Sequence, residues 1–213
     1  MMRTGRPRTF DREAAVSQAM HLFWEHGYES TSLAQLKAAI GRGITAPSFY
    51  AAFGSKEALF REAVDRYLTT HGRVTDSLWQ ADLPPRVAIE TALLRSARMQ
   101  CEPGHPQGCM VALGVMTACS AANKPLMQLL ADSRQRTRSG LQRCLARGVE
   151  TGELRRNSDI PALTVAFDGF LLGISTLARD GIPLAAIEGG ITQIMTLWDN
   201  NRADNLPRQA AGQ

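Results

Sequence analysis

Apolar residues recur at intervals of three and four along nearly the whole chain, and alternating apolar–polar runs do not occur. That pattern predicts an all-α protein of about nine helices. The first starts at an Asp11 N-cap and runs to about Glu25. Its core face is Ala15, Ala19, Leu22 and Phe23, with Val16 and Met20 beside it and Gly27 as the stop. A short second helix spans Thr31 to Ala39, capped by Thr31 or Ser32, with Leu33, Leu36 and Ile40 at helical spacing. After the turn Gly41-Arg42-Gly43 comes a compact third helix ending at Phe53. Thr45 is its N-cap, Pro47 lies in its first turn, and Phe49 and Phe53 face the core. Ser48, Tyr50, Ala51 and Ala52 are left on the outside, and Gly54 ends the helix. From Ser55 the pattern predicts one long amphipathic helix through Leu59, Ala63 and Tyr67 to about Trp79, interrupted by nothing stronger than Gly72. It would span about 35 Å.

Asp82-Leu83-Pro84-Pro85 marks a break. Beyond it the periodicity predicts a helix from about Arg86 to Gln100 with Val87, Leu94 and Ala97 inward, then a loop of breakers from Glu102 to Gly108. An almost wholly apolar helix from Cys109 to Cys119 follows, then a long amphipathic one from Lys124 to Thr151 closed by Gly152. Asp159 caps the next, which ends near Asp180-Gly181, and the last runs from Pro183 to Trp198. These two C-terminal helices carry more apolar surface than one packing face uses, and Gly169, Gly173, Gly189 and Gly190 allow close approach. The expectation is a four-helix homodimer interface built from two copies of the pair. The organisation expected is a flexible basic arm (1–9), a helix-turn-helix unit (10–54), a connecting helix (55–80), a ligand-binding and dimerisation domain (81–200) and a polar, frayed tail (201–213).

Composition changes this picture little. A net charge of +4 permits a polyanionic partner without demanding one. Placement says more, because Arg3, Arg6 and Arg8 come before any acid. An arm carrying Arg6 and Arg8 ahead of a DNA-binding unit can reach into an adjacent minor groove. No N-terminal apolar run suggests a signal peptide, and no stretch approaches the roughly 18 apolar residues of a membrane span, so a cytoplasmic protein is expected. Cys101, Cys109, Cys119 and Cys144 form no disulfide framework and read as reduced thiols.

A helix, a glycine-bearing turn and a compact helix make a helix-turn-helix, whose second helix enters a DNA major groove. This one contains no Arg, Lys, Asn or Gln. Ala51 and Ala52 offer only apolar contact, to thymine methyls, so polar readout falls to Thr45, Ser48, Arg42 in the turn and the Arg6/Arg8 arm, with DNA shape supplying much of the specificity. At the other end, Met99, Met110, Met116, Cys119, Met127, Leu130, Phe167, Phe170 and Leu171 are the expected lining of an adaptable apolar pocket for a small-molecule effector, with simple core packing as the plainer reading of each Met. Cys101, His105 and Cys109 stand four apart, a spacing that can hold a metal or set Cys101 and Cys109 up as a redox pair. A fourth ligand is not evident, so neither metal nor cofactor is expected, and the thiol pair stands as an alternative sensor. No catalytic motif appears, so no enzyme is expected. A helical adaptor that has lost DNA binding is a further alternative, opposed by the basic arm, Tyr50 and Lys56.

Residues 10–68 resemble the N-terminal domain of the TetR family of bacterial transcriptional regulators. The resemblance rests on Ala19, Phe23, Gly27, Tyr28, Thr31, Leu36, Gly43-Ile44-Thr45, Phe49-Tyr50, Phe53, Ser55-Lys56-Glu57 and Leu59 together. Ala178-Arg179-Asp180-Gly181 resembles the family's ending of the eighth helix. The resemblance implies a homodimeric, ligand-responsive DNA-binding protein, usually a repressor acting at a palindromic operator. It also implies phosphate contacts from Thr31, Ser48, Tyr50 and Lys56. Two departures stand out: the turn Ile40-Gly41-Arg42-Gly43-Ile44 is about two residues longer than the commonest family form, and Ala51 occupies a position often held by a long polar residue.

Overall fold

Side-chain caps set the starts of the first four helices in the computed structural model, which describes residues 11–114 and 120–203 apart from the side chain of Arg42. Asp11 opens α1 (Arg12–Ser30), Ser32 opens α2 (Leu33–Ala39), Thr45 opens α3 (Ala46–Phe53) and Ser55 opens α4 (Lys56–Thr69). Each cap oxygen accepts a backbone N–H three residues on, which satisfies a donor the helix itself cannot. Ser32 also forms a reciprocal capping box with Gln35. Continuing, α5 spans Pro85–Cys101, α6 Met110–Leu113, α7 Lys124–Glu150, α8 Ile160–Arg179 and α9 Leu184–Asp199. Among the described residues there are nine α-helices, three 3₁₀ segments and no strand, only an isolated bridge between Leu154 and Arg202. The all-α expectation holds. The expected roles of Arg6, Arg8, Met116 and Cys119 lie outside the described residues.

Gly27 breaks α1 at φ 77°, a conformation that glycine reaches without a Cβ penalty. The break turns Tyr28 back to stack on Phe23 at 6.0 Å and to meet Phe60 edge-on at 4.9 Å. One buried cluster joins this unit to the rest: Phe23, Trp24, Phe49, Phe60 and Tyr67 share it with Met99, Met110, Leu126 and Leu130. A second cluster lies among α5, α7, α8 and α9, around Leu93, Leu141, Phe167, Ile191 and Trp198. The helix-turn-helix is therefore packed onto the C-terminal helices through continuous apolar surface.

Several expectations need correction. The long connecting helix stops at Thr69, and His71–Trp79 is a 3₁₀ segment. The hydroxyl of Thr70 donates to Arg66 O at 2.6 Å and that of Thr69 to Asp65 O at 2.9 Å, so both side chains compete for the carbonyls of the last turn. Fourteen residues of α4 span only about 21 Å. Val87 is exposed; Ala88, Ile89, Ala92 and Leu93 form the buried face of α5 instead. Of the apolar helix expected from Cys109 to Cys119, the described part is Met110–Leu113. The polar tail is not frayed from its start, since Arg155 N–H donates to Asn201 O at 3.0 Å and Ala203 N–H to Glu153 O at 3.1 Å.

The expectation that no segment could span a membrane also fails on length and composition. Helix α8 has 20 residues and a mean hydropathy of 1.6 over its most apolar window. Its apolarity has two uses within the fold. Leu163, Phe167, Leu171 and Ile174 are buried against α5, α7 and α9, with Asp168 paired to Arg138 among them. A second stripe at i, i+4 spacing faces outward. Val165 is 68% exposed, Leu177 is exposed, and between them Gly169 and Gly173 have nothing within 4 Å of where a Cβ would stand.

Candidate DNA interface and effector site

The turn before α3 is set by backbone geometry. Gly41 (φ 57°) and Gly43 (φ 101°) take conformations that side chains disfavour, and Gln18 Oε1 accepts the Gly41 N–H at 3.0 Å. Buried Ile40 anchors one side and Phe49 and Phe53 anchor the other, so α3 lies on the surface with one face fixed. Thr45 Oγ1 accepts Ser48 N–H at 3.3 Å and lies 2.9 Å from Ser48 Oγ. Each hydroxyl keeps spare hydrogen-bonding capacity. Tyr50 is 51% exposed and Ala51 is exposed, whereas Ala52 is half-buried against the core rather than outward. From Thr31 to Lys56 the sequence holds Lys37, Arg42 and Lys56 and no acid. The helix-turn-helix segment itself thus contributes only positive fixed charge.

Two of the expected phosphate contacts differ sharply. Thr31 is fully buried, and its hydroxyl donates to Gly27 O at 2.7 Å, tying α2 to the break in α1. It is withdrawn from the DNA face. The Lys56 ammonium lies over the Tyr28 ring at 4.2 Å, and burial lowers its pKa, opposed by the nearby Glu29 carboxylate.

Glu29 belongs to a joint between the two ends of the molecule. Its carboxylate accepts Asn123 Nδ2–H at 2.8 Å and Ser120 N–H at 2.9 Å, and these bonds, the Asn123 one foremost, hold its pKa down at about 2. On the other side of the Gly27 break, the Arg179 guanidinium donates to Trp24 O at 3.0 Å and to Gln107 O at 3.2 Å. Trp24 stacks on His105 at 4.6 Å and meets Tyr67 and His71 edge-on. Burial, then the proximity of His105, lowers the pKa of His71 and of His21.

A cavity of about 60 Å³ opens beside this joint, under the 3₁₀ segment. Val74, Val111 and Leu171 supply apolar walls, and Ser96, Gln100 and Ser175 form a buried chain of 2.8 Å hydrogen bonds along it. Asp168, held by Arg138 Nε–H at 2.8 Å, and Arg134 add charge. Cys109 completes the wall, its sulfur accepting the Tyr67 hydroxyl at 3.2 Å. Burial raises the Tyr67 pKa well above its usual value, so the phenol stays neutral and donating.

Family models match both ends of the chain. Residues 15–63 match that of bacterial regulatory proteins of the tetR family, and residues 88–188 match the tetracyclin repressor-like C-terminal domain. The chain is 31% identical over 195 residues, 91% of each protein, to the HTH-type transcriptional repressor ComR of Escherichia coli K12. The chain belongs to the TetR family. The same organism's HTH-type transcriptional repressor BdcR is 36% identical over 111 residues, 52% of this chain and 55% of BdcR. A cysteine mutant of the TetR-family regulator CifR, solved with 26-bp operator DNA, superposes with a TM-score of 0.80 at 34% identity over 91% of this chain and all of that one.

Membership of the TetR family makes this chain a DNA-binding transcriptional regulator, and the fold puts Thr45, Ser48, Tyr50 and Ala51 together on one exposed edge. The expected methionine-lined pocket is brought together only in part. Met99 and Phe167 are buried in separate cores, and Phe170 packs between α8 and α9 with its ring edge 3.3 Å from the Cβ position of Gly190. Met110, Met127 and Leu130 line a different cavity, of about 190 Å³, against Phe23, Trp24 and Phe60. Of the expected lining residues that are described, Leu171 alone faces the polar cavity. The Cys101 and Cys109 thiols lie in different surroundings, Cys101 in a surface groove beside Arg98 and Pro103, and burial raises the Cys101 pKa, the reverse of what a reactive thiolate requires. Sequence reasoning missed Arg134, Asp168, Ser96, Gln100 and Ser175. A carboxylate in the middle of the most apolar helix was the one signal available.

Proposed function

We propose that the chain is a cytoplasmic, homodimeric repressor that docks α3 of each protomer into successive major grooves of a palindromic operator and is released by a small amphipathic effector. No catalytic role is assigned. The observation that carries this reading is α3 itself: a compact helix pinned by Phe49 and Phe53, with Thr45, Ser48, Tyr50 and Ala51 exposed, in a stretch from Thr31 to Lys56 whose sequence holds no acid. ComR and BdcR, which bear repressor names, and CifR, solved on operator DNA, support it. The dimer interface proposed is the outward stripe of α8 with the Gly189 face of α9. The unit expected over 10–54 supplies the DNA contacts, and the one over 81–200 supplies dimerisation and sensing.

With Ala51 in the reading helix, base contacts are mainly apolar, and Arg42, Arg6 and Arg8 supply the polar ones. Selection of bound sequences from random duplex DNA at fixed salt tests this. A palindrome with half-sites about one helical turn apart is expected, and Arg6→Ala with Arg8→Ala should relax its sequence preference. Recovery of no common sequence would favour a helical adaptor. The effector is proposed to bind the cavity beside Arg134 and Asp168. At about 60 Å³ it admits only a very small molecule unless the 3₁₀ segment moves. Releasing DNA by ~100-fold takes about 2.7 kcal/mol of difference in effector affinity between the two states.

A further inference from the structure

We propose that His71, Glu102 and His105 form a binding site for one first-row divalent transition-metal ion of the zinc type. The donor atoms of the three side chains lie within 4.8 Å of one another. His105 Nε2 stands 3.2 Å from Glu102 Oε1. In a tetrahedral site with bonds of about 2.1 Å, donor atoms stand about 3.4 Å apart, so this pair is already at ligand spacing and small rotations bring in the third.

The tautomer of His105 favours the same conclusion. Its Nδ1 lies 2.9 Å from Pro106 O, and a carbonyl only accepts, so Nδ1 carries the proton. In the neutral ring the Nε2 lone pair then points at a carboxylate oxygen, a repulsion that either a proton on Nε2 or a bound metal ion relieves. An imidazole whose second nitrogen donates to a backbone carbonyl is also the usual outer-shell arrangement of a metal-bound histidine. The site is preorganised: the His105 side chain is 5% exposed, sandwiched on Trp24 and against His71 at 4.7 Å. Glu102 is exposed and can close onto an ion, leaving a position for water. Two imidazoles and one carboxylate suit zinc, copper, nickel or cobalt rather than magnesium or calcium, which take oxygen ligands.

The ligands come from two parts of the chain. His71 opens the 3₁₀ segment that follows α4, while Glu102 and His105 sit in the loop after α5. A bound ion therefore staples the connector to the C-terminal helices, beside Trp24 of α1. Its effect on DNA affinity rests on the repressor reading; the binding itself does not.

The test is titration of EDTA-treated full-length protein with Co²⁺, followed by visible d–d absorption, then by displacement with Zn²⁺. One equivalent per chain is expected, with binding weakened about tenfold or more in His71→Gln and in Glu102→Gln. Circular dichroism confirms that both variants fold, and Glu102, being exposed, tolerates the change. No stoichiometric binding, or binding unmoved by both variants, overturns the proposal. So does cobalt absorption with sulfur-to-metal character that disappears in Cys101→Ser/Cys109→Ser. A gel shift with and without Zn²⁺ then separates the readings, since a protein that binds the ion and no DNA keeps the site and loses the repressor.

Discussion

Glu29 holds the N-terminal helices to the residues before α7 through two hydrogen bonds, and its carboxyl is drawn down to about 2. The sign of the pH effect follows. A depressed value means the clamp's contribution is fully present above the ordinary value of 4.5 and is lost as pH falls toward 2. Carboxyl NMR titration should find the Glu29 midpoint well below the ordinary value of 4.5, and Asn123→Ala should move it upward. At the DNA face, Tyr50 and Lys56 are expected to act through phosphates. Tyr50→Phe removes a hydroxyl from a half-exposed side chain and should weaken operator binding with no change in melting temperature. Lys56→Met should weaken binding similarly on all sequences and lower the salt dependence by about one counterion, measured as the slope of log affinity against log salt.

Helix α3 is the element whose sequence signals agree most closely. Thr45 as cap, Pro47 in the first turn, Phe49 and Phe53 four apart and Gly54 as stop all point to the same eight residues. Phe49→Ala leaves a cavity at a fully buried position and should cost about 3–5 kcal/mol in denaturant unfolding, abolishing DNA binding with it. The connector carries the opposite lesson. Its apolar spacing continues past Thr70, but two threonine hydroxyls turn back onto carbonyls, and nothing in periodicity registers that competition. The polar cavity proposed for the effector was hidden for a related reason. Its polar walls are serines, a glutamine, an arginine and an aspartate from α5, α7 and α8, drawn together by long-range packing, while Met99 is buried in the core and Met110 and Met127 line a separate cavity.

For the whole molecule, the outward stripe of α8 is the face proposed for assembly. Val165, Gly169, Gly173 and Leu177 form a smooth apolar strip that a second copy can meet at close range. Gly169→Arg should shift sedimentation from dimer to monomer while the chain stays folded, because no neighbour occupies that space within the protomer. Operator affinity should fall with it, since each half-site contact is then made alone.

The 3₁₀ segment His71–Trp79 gives the molecule a reserve of length. A 3₁₀ helix rises about 2.0 Å per residue and an α-helix about 1.5 Å, so rewinding these nine residues would draw the ends together by about 4.5 Å without breaking the chain. That is slightly more than the rise of one base-pair step, about 3.4 Å. The cavity proposed for the effector borders this segment, with Gly72, Val74 and Thr75 in its wall, so on that proposal a small ligand filling it would press on an element whose rewinding would shift the helix-turn-helix along DNA. Distances between spin labels on α4 and α5, taken with and without operator DNA, should differ by that amount; an unchanged distance assigns the motion to the Gly27 break instead.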